Sequence, residues 1–186
     1  MAKTNVNDID RNIYDIKNKD EYEFKMQKGL NKEIVEEISK KKNEPEWMLN
    51  LRLQALEIYN KLELPTWGPD LSELKMGEIA TYVKPKSKLN SNWEDVPEDI
   101  RNTFDKLGIP EAEKNSLAGV GAQYDSEVVY HSIKEELKKQ GVIYTDMDTA
   151  VKEYPELVKK HFMKCVPIND NKFVALHAAV WSGGSF

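Results

Sequence analysis

Cysteine is almost missing from this chain. A single Cys165 in 186 residues cannot close an intramolecular disulfide, which excludes a disulfide-stapled secreted scaffold. It also excludes a thiolate zinc site, which draws on two or more cysteines. Histidine is scarce too. His131, His161 and His177 are the only three. None stands in an HExxH or similarly spaced pair, so a metal centre would need ligands converging from distant segments. Long apolar runs are absent. No stretch approaches the roughly 18–20 residues of a membrane-crossing helix, and the opening Met1-Ala2-Lys3-Thr4-Asn5 carries no apolar signal-peptide core. Positive charge is not in excess: 27 Lys+Arg against 32 Asp+Glu give a net charge of -5. Such a chain has no general attraction to nucleic acid or anionic membrane. These absences point to a soluble cytoplasmic protein with no nucleic-acid or membrane partner.

What is present is enough for a core. Hydrophobic residues make up 40% of the chain and aromatics 9%, a globular composition at a length suited to one domain or two small ones. Residues 1–30 read as a polar arm, either extended with Tyr14, Tyr22 and Phe24 packed or partly disordered. The first helix starts after Asn31, a good N-cap, with Leu30 and Val35 placed as a hydrophobic staple. Lys40-Lys41-Lys42 suits its C-terminal end. A second helix opens at Pro45 and carries Met48, Leu51, Ala55, Ile58, Tyr59 and Leu62 on one face. It stops before Pro65-Thr66-Trp67-Gly68-Pro69.

Further elements are shorter. Ile79 to Val83 suits a brief strand. Pro97 to Leu107 suits a helix stopped by Gly108. Residues 109–124 read as irregular. Asp125 or Ser126 would cap a helix bearing Val129, Ile133 and Leu137, and Val142-Ile143-Tyr144 would form a brief strand. Thr145-Asp146-Met147-Asp148 resembles a capping box, and Pro155 restarts helix through Phe162. Asn171 to Trp181 is apolar on both faces apart from His177, which predicts a doubly covered strand. Such a strand, lacking partners of matching quality upstream, suggests the beginning of a second unit in a longer protein.

The chemistry-bearing candidates are few. Gly119-Val120-Gly121 lacks the third glycine of a phosphate-binding loop and reads as a loop of special backbone shape. His131 and His161 suit helix surfaces, and His177 suits a hydrogen-bonded core position. Cys165 has Lys160, His161 and Lys164 nearby, which would favour a thiolate. With no base or resolving partner in sequence, it reads as a small apolar residue. The carboxylates are dispersed among lysines. Residue chemistry alone therefore assigns no catalytic, cofactor-binding or metal-ligating residue.

Three stretches carry a family resemblance. The first is Met26-Gln27-Lys28-Gly29-Leu30 together with Glu44-Pro45-Glu46-Trp47-Met48-Leu49-Asn50-Leu51-Arg52-Leu53 and Leu64-Pro65-Thr66-Trp67-Gly68. The second is Gly119-Val120-Gly121-Ala122-Gln123-Tyr124-Asp125-Ser126-Glu127. The third runs from Gly141-Val142-Ile143 through Tyr154-Pro155-Glu156-Leu157-Val158 and Asp170-Asn171-Lys172-Phe173 to Ala178-Ala179-Val180-Trp181-Ser182-Gly183-Gly184-Ser185-Phe186. Together they resemble the N-terminal region of the SufB family, the scaffold subunits of the SUF iron–sulfur cluster assembly machinery. The paralogous SufD proteins are less similar in the 44–55 string.

The resemblance implies an α+β chain. A mainly helical domain over 31–165 with short strands would lead into residues 166–186, the first strand of a truncated right-handed parallel β-helix. It also implies an iron–sulfur cluster on the full-length protein and partnership with a SufC-type ATPase and a SufD-type subunit. Sulfur would come from a cysteine desulfurase and its transfer partner. The family's sulfur-accepting cysteine and cluster ligands would lie beyond Phe186, and Cys165 matches none of them. An isolated first rung would expose a strand edge, which predicts self-association through residues 172–181 or disorder there. Two other functions compete with the scaffold. One is a helical interaction module docking a sulfur donor or the ATPase. The other is an enzyme using Cys165 as nucleophile.

Overall fold

The computed structural model describes residues 21–106 and 117–186. The first twenty residues of the polar arm and the helix stop expected at Leu107–Gly108 lie outside them. Among the described residues the fold is a mixture of helices and short strands, with two separate two-stranded antiparallel sheets.

Local signals start the helices. Strand β1 (Tyr22–Lys25) leads into α1 (Lys32–Lys42). The Asn31 side chain accepts the Ile34 amide at 2.9 Å, so one orphan donor of the first turn is satisfied. Leu30 packs into the cluster that holds Val35, as a staple requires. Asn43, in the left-handed region at φ 51, turns the chain into α2 (Glu46–Lys61). After α2 the chain runs through Trp67 to β2 (Val83–Pro85), which pairs with β1. Helix α3 (Glu98–Lys106) precedes the hairpin β3 (Gly119–Tyr124) and β4 (Glu127–Ile133). Then come α4 (Glu135–Lys139), α5 (Met147–Glu153), α6 (Pro155–His161) and α7 (Lys172–Val180).

The core lies where α1, α2 and α7 meet. Val35, Ala55, Leu56, Tyr59, Ala175, Ala178 and Ala179 form one buried cluster. Alanine on α7 lets it lie close on α2, because interaxial distance follows contact side-chain size. A second cluster joins Met48 to Ala150, Val151, Val158 and Trp181, and so fastens α5 and α6 to the same helix. Each fully buried Ile, Val or Met here removes enough apolar surface for about 1.5–3 kcal/mol. The hairpin packs on α3 and the turn before it through Val96, Ile100, Ala122 and Val129.

Several expectations need correction. Residues 172–180 are helix, not strand. An apolar run on both faces does not distinguish a buried strand from a buried helix. Alanine at 175, 178 and 179 favours helix, and the Asn171 side chain caps it by accepting the Phe173 and Val174 amides at 2.9 and 3.2 Å. A helix seated on α2 offers no strand edge, which removes the expected route to self-association.

The helix expected after Ser126 is strand β4, and part of the irregular stretch is its partner β3. The i, i+4 spacing of Val129 and Ile133 is also an even spacing, so a strand equally places both on one face. Asp125, at φ 51, makes the turn. His131 therefore sits on a strand rather than a helix surface. Finally, Val142–Tyr144 joins no ladder. The neighbouring Thr145 instead exchanges two backbone hydrogen bonds with Phe186 at 3.0 and 2.8 Å. The brief strand placed at 79–83 is shifted to Val83–Pro85.

Candidate functional site

Two buried cations organise the fold. Arg52, on α2, is fully buried. Its Nε and Nη2 donate to the two carboxylate oxygens of Glu44 at 2.8 and 2.6 Å. Its Nη1 donates to the Ala179 carbonyl at 3.1 Å, and Nη2 also donates to that of Trp181 at 3.0 Å. These carbonyls end α7, where helix geometry leaves acceptors without internal donors. The guanidinium also lies over the Trp181 ring, 4.7 Å from its centroid.

Lys42, the last residue of α1, has a side chain only 3% exposed. Its Nζ contacts Glu127 Oε1 on β4 at 3.2 Å and Asp148 Oδ2 on α5 at 2.9 Å. The Tyr82 hydroxyl donates to the same Glu127 oxygen at 2.6 Å. Burial pushes the Asp148 carboxyl above its usual range, outweighing the pull of Lys42. Burial first, and the bond to Glu127 second, hold the Tyr82 phenol far above its usual value. The network ties α1, α5 and β4 together around one ammonium. None of its members lines the clefts described below, so its role is to fix the relative positions of these elements.

Two clefts open beside α7. The first, about 660 Å³, is lined by Trp67, by His161 through Val166 and by Asn171, Phe173, Val174 and His177. Most of it is apolar. Helix α6 ends at His161 with Phe162 as its cap, and Met163, in the left-handed region at φ 53, leads into Lys164 and Cys165 on the lining. The second, about 620 Å³, is more polar and lies between the hairpin turn and the Ser182–Ser185 loop. Ser182 Oγ donates to the Ser126 carbonyl, and the Gly184 amide donates to Gln123 Oε1 at 3.2 Å. A Cβ at Gly183 (φ 67) would run into the Gln123 side chain.

The sequence candidates fall as follows. Cys165 is a free, exposed thiol at the first cleft. His161 lines the same cleft. His177 is exposed at the edge shared by both clefts, rather than hydrogen-bonded in the core. Partial burial, and secondarily the charge of Arg52, lower its pKa. His131 stacks on Tyr144 with ring centroids 4.2 Å apart. That ring also packs against Gly119, where a Cβ would come within 2.7 Å of it. Gly119 is thus a close-packing position and not part of a phosphate cradle. Although Cys165, His161 and His177 share a cleft, among the described residues no three His, Cys, Asp or Glu side chains gather in metal-holding geometry. No helix among these residues is long and apolar enough to cross a membrane.

The region covered by sequence similarity includes every one of these features. Residues 26–186 match the family described as the SufBD protein N-terminal region. The chain belongs to the SufBD family. It is 52% identical to the iron–sulfur cluster assembly protein SufB of Bacillus subtilis across all 186 residues. It is 56% identical over 163 residues to an iron–sulfur cluster assembly SufBD family protein of Staphylococcus aureus strain USA300, 88% of this chain. The chain spans only 40% of the Bacillus relative and 35% of the Staphylococcus one. In this SufBD region both the Arg52 and the Lys42 networks were invisible in the linear pattern. Apart from Glu44, eight positions before Arg52, the groups that the two cations hold lie 85 to 129 residues away. The one linear hint of the first cleft was the acid-free stretch 157–169, with three lysines beside Phe162, Met163 and Val166.

Proposed function

We propose that this chain is the N-terminal support of an iron–sulfur cluster assembly scaffold. In the longer protein the scaffold receives sulfur, assembles a cluster with iron and passes it to apoproteins. The observation that carries this reading is similarity along the whole chain, at 52% identity, to a protein named for iron–sulfur cluster assembly. The cluster is cargo built on the longer protein, and no residue of this chain is assigned to hold it. A parallel β-helix would follow at or beyond Trp181, after α7 rather than within it. The partners would be a SufC-type ATPase, which hydrolyses the nucleotide, a SufD-type subunit and a cysteine desulfurase with its transfer protein. The chain itself is non-enzymatic and works in the cytoplasm.

What supports a structural role is the rigidity of the platform. Arg52 and Lys42 lock α1, α2, α5, α7 and the hairpin through charge-assisted bonds. The test is anaerobic iron and sulfide reconstitution of this chain beside the full-length gene product, with bound iron and acid-labile sulfide counted. Cluster on the longer protein alone is the expected result. Stoichiometric iron and sulfide on this chain, lost in Cys165→Ser, would overturn the assignment. A second reading, a docking module, is favoured by the apolar cleft along α7.

A further inference from the structure

We infer that the first cleft is a docking groove for a helical segment of a partner protein, apolar on one face and carrying carboxylates beside that face. Its floor and walls are Phe162, Val166, Phe173 and Val174, with Trp67 standing at one side. Trp67 is 69% exposed and Val166 48%. Large side chains left this wet around one groove form the kind of aromatic and aliphatic patch that interfaces bury at their centre. A small ligand lodged between them would leave their outer faces in water. A peptide chain laid along the groove covers both.

The form of the occupant follows from the walls. No lining residue belongs to a strand, so no strand edge is offered for β-addition. Recognition must therefore run through side chains, as when an amphipathic helix lies in a groove. The charge follows from the rim. Lys164 lines the groove and Lys160 sits one turn earlier on α6. No Asp or Glu occurs from Leu157 to Asn169, although the chain as a whole is -5. Lys159, the other lysine of that turn, is held by Glu156 at 2.9 Å. Lys172, between the lining residues Asn171 and Phe173 in sequence, is held by the carbonyls of Tyr59 and Leu62 at 3.0 and 2.7 Å. Lys164 thus presents positive charge to whatever enters a groove that no Asp or Glu lines, and carboxylates flanking the apolar face complement it.

The only cysteine reports on occupancy, because Cys165 is exposed within the groove. The experiment follows its alkylation by iodoacetamide, read by mass spectrometry of its tryptic peptide. The probe is an amphipathic peptide of about four helical turns, Leu and Phe on one face and Glu beside it. The expected result is about tenfold slower alkylation at saturating peptide. A peptide with Lys in place of each Glu should bind about tenfold more weakly or worse. The pair Lys160→Glu and Lys164→Glu should reverse that preference. Trp67→Ala and Val166→Asp, both at exposed positions where folding is not at stake, should abolish protection.

Equal protection by both peptides, or by neither, would overturn the proposal. So would protection by laurate alone, which would make the groove an acyl-chain site. Slow alkylation in the full-length gene product without any peptide would show that its own later chain fills the groove, and would also overturn it. The iron and sulfide count of that longer product is read separately and does not depend on this binding, so the two proposals fail independently.

Discussion

Arg52 and Glu44 meet through two parallel hydrogen bonds of 2.8 and 2.6 Å, both side chains essentially removed from solvent. Glu44 belongs to the turn between α1 and α2, and Arg52 lies on α2 two helical turns later. The fork geometry explains why the residue is arginine. A lysine could not satisfy both carboxylate oxygens and still reach the Ala179 and Trp181 carbonyls. The pair therefore sets how the end of α7 sits on α2, and with it the walls of both clefts.

Breaking this pair should be costly. Arg52→Met leaves a buried carboxylate and two helix-end carbonyls without donors, and the expected loss is about 3–5 kcal/mol of unfolding free energy. Urea denaturation followed by circular dichroism measures it. Arg52→Met combined with Glu44→Gln should lose less than the sum of the two single changes, because the stranded charge is gone.

The Lys42 network should give a pH signature. The folded-state pKa of Asp148 lies above its usual 3.8, chiefly through burial. The folded state therefore holds this proton at pH values where the unfolded chain has released it. Stability from Asp148 then rises as pH falls through its folded pKa toward 3.8, and declines as pH rises. Parent and Asp148→Asn, compared by denaturation across this window, should show the parent gaining relative to the variant on acidification. A constant difference would contradict the burial argument.

Tyr82 should be slow to ionise. Its phenol is raised by burial and by its bond to Glu127, and that of Tyr59 by burial. In a spectrophotometric titration, Tyr82 and Tyr59 should remain neutral above the ordinary phenol range, until the protein unfolds in alkali. Tyr82→Phe should leave one such tyrosine. It should also cost about 1–3 kcal/mol, since the partly buried Glu127 loses a donor.

The contact between α2 and α7 should tolerate little added volume. Ala178 is fully buried there. Ala178→Leu is expected to cost about 1–3 kcal/mol by forcing the helices apart. Ala→Gly at the same site should cost about 1 kcal/mol through helix propensity, with the close approach kept. Thermal melts of the two variants separate the effects.

The parts of the fold legible in sequence are those with short-range causes. Asn31 and Asp146 announce helix starts because each bonds an amide three residues on. Pro155 opens α6 because a first-turn position needs no amide donor. The hairpin was misread because Val129 and Ile133 lie on one face of either a helix or a strand. The clefts were hidden for another reason. Trp67 and Phe173 are 106 positions apart in sequence, and no pattern within one segment announces that they line one cleft.

The sequence alone determined family membership, through long ordered strings, and the helix starts, through capping contacts confined to three or four residues. Tertiary structure decided the rest. An apolar run without period is silent about whether it is helix or strand. Residues 172–180 became a helix whose alanines lie on α2, and whose final carbonyls Arg52 holds from more than 120 positions away. A contact at that separation leaves no local trace, because neither partner constrains the residues beside it until the chain has folded.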